Sequence, residues 1–253
     1  MASSIITLLT DFGYKDAFVG IMKGVILSLY PDANIVDISH EIEPQNISAG
    51  AFLINNSYKY FPSGTVHVIV IDPGVGSKRR ILCVSAFDHF FLAPDNGVLK
   101  YIYKDCSNIQ VIEVSNKVYF RSQISQTFHG RDIFAPVAAH LAKGIDASEL
   151  GMVIDDYDRG TLPRLEEIPR GLRGEIIYID QFGNLISNIP FNILKKLRNN
   201  SLKISLKNCT ISGLVNAYAQ GKRDEAIALI GSSGYLEIAI NSGSAKNALS
   251  CAV

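Results

Sequence analysis

The chain has 253 residues, 47% of them apolar and 19% charged, with a formal net charge of zero. That is enough apolar mass for one large domain or two unequal ones. The charge balance offers neither the basic excess of a nucleic-acid or anionic-membrane binder nor an acidic solvating tail.

Ile5–Leu9 reads as a buried strand. Residues 15–29 then carry apolar positions at helical spacing until Pro31 stops them. Asn34–Ile38 is a second strand, and Ile47–Tyr60 a second helix ended by Pro62. Thr65–Ile71 is almost continuously apolar and suits a strand covered on both faces. Ile81–Ala86 and Phe90–Leu92 form a hairpin or adjacent strands; Asn96–Tyr103 is a short helix and Val111–Val114 a strand. Asp132–Ala142 is a helix with Pro136 near its first turn. This alternation predicts an α/β domain over residues 1–154, with a mostly parallel sheet flanked by helices.

Residues 155–170 are rich in Asp, Arg, Gly and Pro and read as a linker. From 171 to 253 strands dominate: Glu175–Asp180, Leu185–Ile189, Leu202–Leu206, Ala226–Ile230 and Tyr235–Ile240. The expectation is a smaller C-terminal β-barrel domain. The four cysteines, Cys83, Cys106, Cys209 and Cys251, form no C-x-x-C pair and read as buried free thiols. The N-terminal Met1–Ser4 lacks a basic n-region, and no apolar run is long enough for a membrane helix, so a cytoplasmic protein is expected.

P-loop, dinucleotide, G-x-S-x-G, H-E-x-x-H and EF-hand motifs are absent, and the five histidines have no metal-ligand spacing. No metal or cofactor is expected. Ligands of open parallel sheets gather beyond the carboxyl ends of the strands. Asp11 follows the first strand and Asp72 the most buried one, so both are candidates for one cleft. Asp72-Pro73-Gly74 is either a plain turn or a site loop. Lys78-Arg79-Arg80 is either a solvated basic run or a source of one arginine that folds back and keeps Asp72 ionised. His129 precedes a helix start; Asp132 reads as its N-cap. Asp180, Phe182 and Asn184 sit at a hairpin tip, as turn chemistry or as a pocket for a planar base. Gly231-Ser232-Ser233-Gly234 is a turn or an anion-binding nest.

Together these segments resemble the S-adenosylmethionine hydroxide adenosyltransferases, relatives of the adenosyl-fluoride and adenosyl-chloride synthases. The resemblance rests on Thr10-Asp11-Phe12-Gly13 with Asp16, on Asp72-Pro73-Gly74-Val75-Gly76 with Arg79, and on Ala93-Pro94-Asp95-Asn96-Gly97. It continues through Thr127–Asp132, Asp180–Asn184 and Gly231–Tyr235. It implies a homotrimer with sites between the N-terminal domain of one subunit and the C-terminal domain of its neighbour. It also implies water or hydroxide attack at C5′ of S-adenosyl-L-methionine, giving adenosine and L-methionine. Asp72, Arg79 and His129 fall on the family's catalytic set. Asp11 and Asp16 carry over as ribose and substrate contacts. Phe128, Phe182, Asn184 and Tyr218 carry over to the adenine end, and Asp180 and Ser232 to the methionine end. Gly130 and Ser233 stand where the halogenating relatives carry a serine and an arginine. The alternatives are a halide adenosyltransferase and a non-catalytic S-adenosylmethionine or adenosine sensor.

Overall fold

The computed structural model describes residues 5–169, 171–196 and 202–253. Met1–Ser4 and Arg170, the last residue of the expected linker, lie outside them. The chain divides into two compact units, one up to Thr161 and one from Leu162.

The first unit holds strands β1 (Ile5–Thr10), β2 (Asn34–Ser39), β3 (Val66–Val70), β4 (Ile81–Ala86), β5 (His89–Pro94) and β6 (Gln110–Glu113). They form one sheet in the order β2-β1-β3-β5-β4-β6. β2, β1, β3 and β5 run parallel, and β4 is antiparallel to both β5 and β6. The four helices are α1 (Phe18–Leu29), α2 (Ile47–Ser57), α3 (Lys100–Asp105) and α4 (Ala135–Ala142). β3 is buried along its whole length, as its unbroken apolar run requires. Its Val66, Val68 and Val70 join Met22 and Ile26 of α1 and the alanine-rich α4 in the main core. On the opposite face, α2 comes close enough that a Cβ on Gly50 would lie 2.5 Å from Ile71 Cδ1.

The β4–β5 pair is a hairpin, with Phe87 and Asp88 both at positive φ (53° and 61°). Two such residues make the mirror-image turn that matches strand twist, a position usually filled by Asn-Gly. Phe87 occupies it by stacking on Tyr58, centroids 5.4 Å apart. α3 begins at Lys100 rather than Asn96. The Asn96 side chain instead donates to the Ile71 carbonyl (2.9 Å) and accepts from Val98 N (3.2 Å). Asp132 is not a helix cap: it lies inside the wide π-type turn Gly130–Phe134 that leads into α4, fully buried.

The second unit opens with the short ladder β7 (Glu166–Ile168) and β8 (Gly171–Arg173). β9 (Ile176–Ile179), β10 (Leu185–Pro190), β13 (Ala226–Ile230) and β14 (Tyr235–Ile240) form an antiparallel sheet in the order β13-β14-β10-β9. β11 (Lys203–Leu206) and β12 (Cys209–Ser212) form a separate hairpin. β12 escapes sequence reading because only Ile211 of its four residues is buried. Short helical turns α5 (Phe191–Leu194) and α6 (Ala245–Ala248) complete this unit. Leu185, Leu236, Ile238 and Ile240 pack into its core, while Ile227, Leu229 and Ala239 form a second cluster. All four cysteines are free; Cys83 and Cys251 are buried, whereas Cys106 and Cys209 are partly exposed. No helix among the described residues is long and apolar enough to cross a membrane.

Candidate active site

The register of the parallel strands sets the site. β1 and β3 pair from Ile6 with Val66 to Thr10 with Val70, so Asp11 and Asp72 emerge just beyond the same sheet end. The loop after β3 then turns sharply. Val75 N donates to the Asp72 carbonyl (3.2 Å) and Ser77 N to the Gly74 carbonyl (3.0 Å). Gly76 has φ +77°, and a Cβ there would lie 2.3 Å from the carbonyl oxygen of Gln126. Only glycine meets both demands, and the close approach sets the 72–80 loop against the segment that carries His129.

Arg79 folds back over Asp72. Its Nε donates to both carboxylate oxygens (3.0 and 2.9 Å), and its Nη2 donates to Oδ2 at 2.5 Å. The same Nη2 lies 2.7 Å from His129 Nδ1. A guanidinium has donors and no acceptor. His129 Nδ1 therefore accepts, and the ring is neutral with its proton on Nε2. Burial, reinforced by the Arg79 charge, holds this imidazole below its ordinary pKa, against the opposing pull of Asp72 and Asp132. The Asp72 and Arg79 side chains are only 5% and 10% exposed, so the pair is shielded from water on most sides.

His129 is held by the structure around Asp132. The buried carboxylate accepts from Ser125 N (2.8 Å) and from Arg131 Nε and Nη2 (2.7 and 2.8 Å), closing the 125–132 loop. Arg131 in turn lies over the Phe128 ring, 5.3 Å from its centroid. The neighbouring arginine, Arg80, does not form a solvated run with Arg79. It bridges Asp95 Oδ2 (2.9 Å) and Asp156 Oδ1 (2.7 Å), riveting the loop to the Ala93–Gly97 segment. Lys78 alone of the basic run is exposed.

Asp72, His129, Asp11 and Phe128 line one cleft of about 370 Å³. Phe12 and Phe18 line it as well and meet Phe128 edge to face, at 6.1 and 5.1 Å. Asp11 Oδ2 accepts from Gln45 N (2.7 Å), with Gln45 at φ +66°. Asp16 is exposed in the bend before α1 and does not line the cleft. The aromatic wall of Phe12 and Phe18 is not evident from sequence, because both read as ordinary apolar residues flanking a helix.

In the second unit, Asp180 Oδ1 accepts from Phe182 N (2.9 Å) and Asn184 N (2.8 Å), and its Oδ2 from Asn184 Nδ2 (2.9 Å). This is Asx-turn chemistry, and it leaves Phe182 76% exposed at the tip. Ser232 is exposed in the turn closed by Gly234 N and the Gly231 carbonyl (2.9 Å). Tyr218 donates to Glu237 Oε1 (2.6 Å). Burial raises the Glu237 carboxyl above its ordinary range; the Tyr218 bond opposes this and the Asp180 charge adds to it. No motif marks Glu237, although one charged residue inside the apolar run Tyr235–Ile240 is a legible signal.

Fold and cleft define a class: an α/β unit that sets a carboxylate, a guanidinium and a neutral imidazole beside an aromatic wall, followed by an antiparallel β unit with its own polar loops. The chain belongs to the SAM hydroxide adenosyltransferase family. The family's N-terminal domain matches residues 6–151 and its C-terminal domain residues 174–253. The (R)-S-adenosyl-L-methionine hydrolase of Methanocaldococcus jannaschii is 36% identical over 92% of this chain and 87% of its own. A fluorinase from an Actinoplanes species is 29% identical over 94% of this chain and 91% of its own. The crystal structure of an uncharacterised conserved protein from Thermotoga maritima aligns with TM-score 0.92 and 34% identity, covering 98% of this chain and 96% of that one.

Proposed function

We propose that this enzyme hydrolyses S-adenosyl-L-methionine to adenosine and L-methionine by attack of water at C5′. The hydrolases among its relatives support this. One observation carries the mechanism: Arg79 grips Asp72 and His129 at once.

The leaving group is a neutral thioether departing from a sulfonium, so no acid need protonate it and no metal need polarise it. The proposal therefore includes no cofactor. The difficulty is the nucleophile, since free water has a pKa of about 15.7. The O–C5′ bond forms as the C5′–S bond breaks, and the water proton passes to Asp72 and then to solvent. Asp72 keeps lone pairs beyond those that Arg79 occupies, so it can orient the water and accept that proton. His129 cannot: its Nδ1 is engaged by Arg79, and its Nε2 carries the proton. It offers a donor to the water oxygen or to a substrate hydroxyl. In-line alignment of water and C5′ supplies up to roughly 7–11 kcal/mol in favourable intramolecular cases. Asp11 contacts the ribose and Phe128 faces the adenine end. Asp16 remains a substrate contact, Asp180 and Ser232 bind the methionine end, and Phe182, Asn184 and Tyr218 bind the adenine end. A cytoplasmic homotrimer, and a barrel for the second unit, complete the proposal; the antiparallel β13-β14-β10-β9 sheet is compatible with the barrel.

The test is chromatography of products from purified protein and S-adenosylmethionine, with and without chloride or fluoride. Adenosine and methionine in equal amounts are expected. A 5′-halo-adenosine would replace this reading with halide transfer. Binding without turnover would make the protein a sensor.

A further inference from the structure

His40 follows β2 and is completely buried in the first unit, yet it lines no part of the cleft. Its ring joins two polar groups. Nδ1 lies 2.8 Å from Thr10 Oγ1, and Nε2 lies 3.1 Å from Asp37 Oδ1. Asp37 Oδ2 accepts from Lys23 Nζ of α1 at 2.6 Å. Thr10 Oγ1 also accepts from Phe12 N (3.3 Å). The main chain repeats the connection, since Gly13 N donates to the His40 carbonyl at 2.7 Å.

The Nε2–Asp37 Oδ1 contact is electrostatic, not an aligned hydrogen bond. It favours the proton on Nε2, and Nδ1 then accepts from the Thr10 hydroxyl. That hydroxyl then turns its lone pairs to Phe12 N–H. A bulge in β2 makes the alignment: Leu8 pairs with Asp37, but Leu9 pairs with Ser39, which advances His40 to the end of β1. The Thr10–Gly13 loop is thus pinned from below at two points by His40, and between them it presents Asp11 and Phe12 to the cleft.

We propose that His40 is a positioning residue for substrate binding, acting through Thr10 to fix the Asp11 carboxylate. The proposal rests on the reading that Asp11 contacts substrate. Asp11 shares the cleft with Asp72 and His129 but takes no part in the hydrogen bonds that join Asp72, Arg79 and His129, so its displacement weakens ground-state and transition-state binding alike. KM then rises while kcat holds.

The experiment measures steady-state hydrolysis of S-adenosylmethionine by Asp11→Ala, His40→Phe and the double variant, with His40→Asn as the conservative control. His40→Phe should raise KM about tenfold with kcat within about twofold, the scale of one disturbed charge-assisted contact. His40→Asn keeps an acceptor for Thr10 and should recover most of the loss. In the Asp11→Ala background, His40→Phe should add nothing. An unchanged KM in Asp11→Ala alone would remove the reading of Asp11. A raised KM in Asp11→Ala, with the His40→Phe effect adding in full, would leave that reading intact and overturn the role of His40. Thr10→Val makes the same cycle from the other end of the bond if His40→Phe does not fold. Additivity there overturns the proposal equally.

Discussion

Replacing Arg79 by methionine separates the structural role of the site from its chemical role. The substitution keeps most of the side-chain length but removes three hydrogen bonds to Asp72 and one to His129. Asp72, whose side chain is 5% exposed, would be left as a nearly buried carboxylate without its counter-charge. Breaking such a pair from one side costs about 3–5 kcal/mol. With a urea dependence of about 2 kcal/mol per molar, the unfolding midpoint should fall by about 1.5–2.5 M. Turnover should fall about 10²–10³-fold, the usual consequence of losing a preorganised donor at the reacting centre. The double variant Asp72→Asn/Arg79→Met then discriminates. It removes both charges, so it should regain much of the midpoint, because no unpaired ion remains buried. It should regain none of the turnover. Urea unfolding followed by circular dichroism, with product chromatography on the same samples, reads both quantities. A wild-type midpoint in Arg79→Met would show that the pair is not energetically coupled. Near-normal turnover would refute the mechanism.

Three further outcomes are expected. His129 must be neutral to accept from Arg79, and its pKa is depressed by burial and then by the Arg79 charge. Activity should hold above pH 6.5 and fall as pH drops through the lower folded-state value; an acid limb centred above 6.5 in the kcat profile would contradict this. Elsewhere in the first unit, His67 is pushed down to about 3, mainly by burial and further by His89. The unfolded chain, near 6.5, takes up that proton first, so stability present above pH 6.5 is lost on acidification. The loss is about 2 kcal/mol by pH 5. Urea titrations at pH 7.5 and 5 should show His67→Gln losing this part of the slope, and an unchanged slope would count against it. Finally, Gly76→Ala meets both an unfavourable φ and the Gln126 carbonyl. It should cost at least about 1–3 kcal/mol and reduce turnover by displacing the His129 segment; a wild-type melting temperature would show that the contact relaxes freely.

The parts of the fold legible in sequence were those where burial leaves a periodic trace. β3 announces itself because a strand covered on both faces excludes polar residues almost throughout. Asp11 and Asp72 became candidates simply by following such strands. The pairing of Arg79 with His129 bridges 50 residues, and no local pattern encodes it; the family resemblance placed both residues in one set. Arg80 reads as part of a solvated run because its partners, Asp95 and Asp156, are distant in sequence. Asp132 reads as a helix N-cap because the π-type turn that buries it against Arg131 and Ser125 N leaves no periodic trace. His40 escapes sequence reading because a histidine between Ser39 and Glu41 looks solvated, whereas Thr10, 30 residues away, bonds its Nδ1 and Asp37 faces its Nε2.

Arg79 and Arg80 are adjacent but take different partners, one Asp72 and His129, the other the carboxylates of Asp95 and Asp156. The stretch between Asp72 and these arginines is therefore a bracket fastened at both feet. At its crown Lys78 is exposed, whereas Ser77 Oγ accepts from Arg79 N (3.2 Å) and belongs to the foot. For protein engineering this makes Lys78 an attachment point: a dye or a grafted peptide there would sit on the same loop as Asp72 and Arg79 while leaving their pairing to the two anchors.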